Sequence, residues 1–191
     1  METVTKAARV KSHEAADADM EAINRFSLAP LSKEDVFCFE VVACDNEVDR
    51  DFERFGDEGL AKMAQLMEGR TVIKDHMARA DNQFARIYAC SVESPGGETS
   101  DGRPYRQLVA RCYALAGDPA VADIKAGIKK EVSVSFRPSS VVCSVCGADQ
   151  AKKPCKHVWG REYDGKTCSF EFADVSDAYE LSFVAIPAQR A

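Results

Sequence analysis

Between Lys129 and Pro138 the chain alternates strictly. Val132, Val134 and Phe136 fall on one parity, and Ser133, Ser135 and Arg137 on the other. A period of two is the signature of a half-buried β-strand, with an apolar face turned to a core and a polar face turned away. The same grammar recurs along the chain. Asp35 to Cys44 is a Val- and Phe-rich run, Thr71–Lys74 a short one, Gln83 to Glu93 and Tyr105 to Leu115 longer ones, and Ala178 to Ile186 the last. Pro95 to Gly102 is a turn-forming stretch between the two longer runs, which therefore read as an antiparallel hairpin.

Helical signals are few and short. Leu60, Met63, Ala64 and Met67 share one face over Asp57 to Glu68, with Asp57 as N-cap and Gly69 just past the end. Asp118 and Pro119 open a second helix that Gly127 closes. Helices interrupt the strands without a regular βαβ order. The expected class is therefore α+β, a mainly antiparallel β-barrel or curled sheet with short peripheral helices. Residues 1 to 33, rich in Ala, Glu, Asp and Lys, read as a weakly ordered leader, with Ala15 to Phe26 as a possible short helix. The folded domain is expected over 34–191.

A chain of 191 residues with 46% hydrophobic content suffices for one sizeable core. The net charge of −6 argues against a dedicated nucleic-acid binder, which concentrates basic residues on one face. No apolar run approaches the ~20 residues that span a bilayer, and the first twenty residues hold no signal-peptide core. These features point to a reducing, cytosolic setting.

In that setting the eight cysteines are metal ligands or buried small hydrophobes rather than disulfides. Cys38, Cys44, Cys90 and Cys112 stand singly in strand runs. Cys143, Cys146, Cys155 and Cys168 crowd into one segment together with His157. Cys143-Ser144-Val145-Cys146-Gly147 is a CxxCG knuckle, and Cys155-Lys156-His157 adds two further soft donors. Cys143, Cys146, Cys155 and His157 make a closed four-ligand set for structural Zn²⁺, with Cys168 as an alternative ligand. A redox CxxC would need a thioredoxin-like βαβ setting, which the pattern lacks. The insert, 139–169, is polar apart from Trp159, so metal binding would have to supply its folding free energy.

Asp45 to Asp51 is acidic but lacks the glycine and terminal glutamate of an EF-hand, and reads as a solvated loop. His76 follows the short strand Thr71–Lys74, where a general base could be held rigidly.

Four blocks in order resemble the prohead (capsid maturation) proteases of tailed phages, relatives in fold of the herpesvirus assemblin proteases. They are the Val36 to Asp51 strand and acidic loop, Val72 to His76, Gly127 to Phe136, and Tyr179 to Ala188. The likeness is greatest to the subset with a CxxCG…CxH…C insert. It implies a herpesvirus-protease-like barrel and a serine endopeptidase, with Ser133 as nucleophile, His76 as general base and Glu180 as the orienting acid. The family usually has Ser-x-Gly-Phe on the serine strand, and here Ser135 stands where that glycine is expected. The resemblance further implies action on phage scaffold and major capsid protein inside an assembling procapsid in the host cytoplasm, self-cleavage, and a dimer or higher homo-oligomer, with no membrane. The alternative is a catalytically inactive, zinc-stabilised structural or scaffolding protein of the particle.

Overall fold

The computed structural model describes residues 10–189. In chain order the elements are β1 (Val10–His13), α1 (Asp17–Asn24), β2 (Val36–Asp45), β3 (Glu53–Phe55), α2 (Asp57–Met67), β4 (Thr71–Lys74) and β5 (Ala85–Glu93). They continue with β6 (Gln107–Leu115), α3 (Pro119–Lys125), β7 (Val132–Cys143), β8 (Glu162–Tyr163), β9 (Lys166–Thr167) and β10 (Phe170–Phe183). The α+β class is as the sequence pattern predicts: mostly strands, with three short helices.

One main sheet runs β1-β2-β6-β5-β4-β10-β3, and β7 joins it by pairing with β10. β5 and β6 form the expected hairpin. β10 is the organising strand. It pairs antiparallel with β7 along one edge, and on the other it is parallel to β3 at Phe170–Phe172 and to β4 at Glu180–Phe183. The sheet does not close into the barrel expected from the sequence. Closure would require β2 to pair with β7, but β1 takes the β2 edge over Cys38–Val41. Over Val132–Pro138, β7 pairs with β10 alone among the described strands.

The segment read as a leader contributes structure from residue 10 onward. β1 is antiparallel to β2. Met20 and Ile23 of α1 bury against Val36, Cys38 and Tyr88. The physical reason is that β1 is held by a partner 25 or more residues away, which local propensity does not encode. Residues 1–9 lie outside the described range. The serine strand also runs further than its alternation suggests, to Cys143, so the first metal-type thiol belongs to the sheet itself. The last strand begins at Phe170 rather than near Ala178.

α2 buries Leu60, Met63 and Met67 completely, as the helical spacing predicts, each worth roughly 1.5–3 kcal/mol of transfer. Its N-cap is Gly56 rather than Asp57, which is the first helical residue. α3 keeps the predicted cap: the Asp118 carboxylate accepts from the Ala120 amide at 2.8 Å. α2 packs so tightly on β10 that a Cβ on Gly59 would lie 2.2 Å from the Phe172 carbonyl oxygen. Gly59→Ala is therefore expected to push the helix off the sheet and destabilise the chain by about 2 kcal/mol or more. An unchanged denaturant midpoint would contradict that packing.

Candidate functional site

The β4 strand ends in a strained corner. Asp75 and His76 both have positive φ, 55° and 53°, which side chains with a Cβ adopt at a cost. Two tertiary bonds hold the corner. The Asp75 amide donates to the Phe183 carbonyl at 3.0 Å, and the His76 amide donates to Ser182 Oγ at 2.9 Å. The loop that follows is pinned by Asn82, whose side-chain amide donates to the carbonyls of Lys74 and Met77. The effect is to lay the His76 ring over the polar face of β10.

There His76 Nδ1 meets Glu180 Oε1 at 2.7 Å. Glu180 is buried, and Ser182, fully buried, donates its hydroxyl to Glu180 Oε2 at 2.7 Å. Ser182 thus bonds both the backbone of His76 and the carboxylate that holds its ring. Such a closed set of charge-assisted bonds fixes orientation well.

Across the ladder, Glu180 pairs with Ser135, and Ser182 with Ser133. Cross-strand partners share a face, so Ser133, Ser135, Glu180 and Ser182 line one polar surface while Val132, Val134, Leu181 and Phe183 turn to the other. The sequence-predicted residues His76 and Glu180 are in contact. The serine in contact with them is Ser135, whose Oγ lies 2.9 Å from His76 Nδ1. Ser133 stands one step along the same face, on the stretch of β7 that also borders a cleft on its opposite, apolar face. Asp75, next to His76 in sequence, is exposed.

The nitrogen matters. Glu180 and Ser135 both meet Nδ1, and one N–H serves both as acceptors. Nε2 has no hydrogen bond among the described residues, and the imidazole side chain is 40% exposed. Ser182 and Asn82 were missed by sequence reasoning. Ser182 was in principle visible, since it lies two residues from Glu180 and so on the same strand face. Asn82 carried no local signal.

At the far end of β7 lies a second cluster. Cys143, Cys146, Cys155 and His157 bring their donor atoms within 4.8 Å of one another and could hold a metal ion. Cys143 Sγ is 3.7 Å from His157 Nδ1 and 3.8 Å from Cys168 Sγ. Donors around a tetrahedral zinc-type ion stand about 3.6–3.8 Å apart, from metal–ligand lengths near 2.0–2.3 Å. The Cys143–His157 separation is of that size, and so is that to Cys168, which is outside the four-member group.

The knuckle is built as its sequence suggests. Gly147 has φ +71°, and its amide returns to the Cys143 carbonyl at 2.9 Å. The Ser144 amide donates to the Ser169 carbonyl, and the Ser169 amide to Ser144 Oγ, both at 2.9 Å. The knuckle is thereby tied to the entrance of β10. Burial opposes ionisation of the Cys155 thiol, but hydrogen bonds from the His157 backbone, Gln150, Cys146 and the His157 ring bring it down to about 6. Burial, then the adjacent Cys143, push the Cys168 thiol up to about 11. Cys155 is the ready thiolate, and Cys168 the reluctant one. The four single cysteines behave as strand residues: Cys38, Cys44 and Cys112 are buried and Cys90 half-buried.

A scan of protein-family models finds no match to this chain, and searches of curated proteins and of solved structures find none either. Among the described residues no helix is long and apolar enough to cross a membrane.

Proposed function

We propose that this chain is a serine endopeptidase that processes scaffold and capsid protein during phage procapsid maturation, and itself, acting as a dimer or higher oligomer. The observation that carries the hydrolase reading is the buried Glu180 on His76 Nδ1 at 2.7 Å, beside a strand that presents two serines on the same face. The phage setting rests on the four ordered sequence blocks.

In this reading Glu180 keeps the proton on Nδ1, which leaves the Nε2 lone pair free as the base. Ser133 Oγ loses its proton to Nε2 as it attacks the scissile carbonyl. The imidazolium, stabilised by Glu180, then gives that proton to the leaving amine. Water repeats the sequence on the acyl-enzyme and returns Ser133. Ser135 acts as a second acceptor at Nδ1–H and helps to fix the ring. The metal of the second cluster is Zn²⁺, held by Cys143, Cys146, Cys155 and His157 in a closed and therefore structural site. Three thiols and one imidazole are the donors that ion favours, and its role is to fold the insert and secure the β7–β10 ends.

A second reading is a catalytically inactive structural protein of the particle. It is favoured by Ser135, which occupies the expected glycine position and contacts His76 where the orienting acid also sits.

A fluorophosphonate probe separates the two. The expected result is one adduct per chain, mapped by peptide mass spectrometry to Ser133 and abolished by His76→Ala. A chain that takes no label and leaves a co-expressed scaffold–capsid fusion intact is not a protease.

A further inference from the structure

A cleft of about 230 Å³ opens between the free edge of β7 and the end of β2. Its floor is a cluster of three rings. Phe55 and Phe136 are 4.8 Å apart between centroids, Phe136 and Phe172 4.9 Å, and Phe55 and Phe172 5.3 Å. Ser133 lines the same cleft.

Two carboxylates also line it, Asp49 and Glu53. Arg54 lines the cleft as well. Arg54 is already engaged, by Asp101 at 2.9 Å and Glu171 at 2.7 Å. Asp49 Oδ1 accepts from the amides of Asp51 and Glu53. No ion pair reaches Asp49 or Glu53 among the described residues. Burial pushes both carboxyls upward, and neighbouring acids add to it: Asp49 and Asp51 for Glu53, Asp51 and Asp45 for Asp49. Two half-buried carboxylates with no cation paired to them, over an aromatic floor, complement one kind of side chain. It has a long apolar stem and a positive tip.

We infer that this cleft takes a lysine or arginine side chain of a peptide substrate, its stem on the Phe55–Phe136–Phe172 cluster and its cation against Glu53 and Asp49. The inference rests on the hydrolase reading for its context: a peptide strand laid beside β7 sends alternate side chains to its two faces, so one residue can enter this cleft on the apolar face while the chain passes Ser133 on the polar face. The peptide backbone would lie along the edge of β7 that, over Val132–Pro138, pairs with no strand besides β10 among the described strands.

The test is cleavage profiling of the full chain. A peptide mixture varied among Lys, Arg, norleucine, Leu, Glu and Ala at each position is digested, and the products are read by mass spectrometry. The expected result is one subsite at which Lys or Arg is preferred over norleucine on the order of tenfold in kcat/KM. Glu53→Gln, which removes charge and little else, should erase that preference, bringing the Lys and norleucine rates together. Equal rates for Lys and norleucine, or a preference that survives in both Glu53→Gln and Asp49→Asn, overturn the assignment. If nothing is cleaved, the hydrolase reading fails by itself, and the cleft is judged by binding. Nα-acetyl-lysine methylamide should then shift the ring signals of Phe55, Phe136 and Phe172 in a ¹³C-Phe-labelled chain, while the norleucine amide does not. Silent rings overturn the inference.

Discussion

Ser133→Ala is expected to lower endopeptidase activity by about 10⁴-fold or more, to the residue that binding and a remaining polar site can supply. Ser135→Gly is expected to keep activity within about tenfold, because it removes only one of two acceptors at His76 Nδ1. The asymmetry follows from the two nitrogens of one ring. In the proposed mechanism a base needs a lone pair and Nδ1 carries the proton that Glu180 accepts, so the reacting hydroxyl must meet Nε2. In that scheme Ser135, at Nδ1, is on the wrong nitrogen for attack. Ser133 lies one step along the same face, at a cleft. Steady-state cleavage of a scaffold–capsid fusion by the two variants decides the matter. A dead Ser135→Gly beside an active Ser133→Ala would transfer the nucleophile to Ser135 and require the ring to turn over.

Metal removal is the second large effect. Chelation, or Cys143→Ala, is expected to cost the insert its fold, since a structural zinc site in a small polar unit supplies roughly 10 kcal/mol or more at neutral pH. Hydrogen exchange should show lost protection over 139–169 and at the Cys143–Phe170 end of the β7–β10 ladder, with the Gly56–Met67 region much less affected. Full protection in metal-free protein would show that Cys143, Cys168 and Phe170, which pack together, hold the insert without an ion.

The pH dependence has a definite sign. The Cys155 thiol is held at about 6 in the folded chain, below the ordinary value of 9.0. A lowered group favours its deprotonated form. Its contribution is complete above the ordinary thiol range and is lost as pH falls through about 6. Metal affinity, measured by chelator competition from about pH 8 to about pH 5, should therefore weaken most steeply toward the acid end. Affinity that rises on acidification would exclude Cys155 as a ligand.

Much of this was legible in the chain because it is local. Alternation gives the strand and its two serines. Helical spacing gives the buried Leu60, Met63 and Met67 of α2. The CxxCG and CxH spacings give the metal-type cluster, since those donors are brought together mainly by short turns such as the one at Gly147. The His76–Glu180 contact joins residues 104 positions apart, and only the sequence resemblance suggested it.

What the sequence by itself determined is therefore a strand with two equivalent polar serines, a nearby segment of metal-type donors and an α+β chain. Tertiary structure decided the rest. β10 lies between β7 and β4, and that puts Glu180 opposite Ser135, Ser182 opposite Ser133, and the strained His76 corner above them. β1 takes an edge of β2, and the sheet stays open with a cleft beside Ser133. The reason is register. Residue spacing fixes which face a side chain takes, but its neighbours across the sheet depend on which strands pair and with what offset. Those choices are settled by long-range burial and edge competition, which no local pattern encodes.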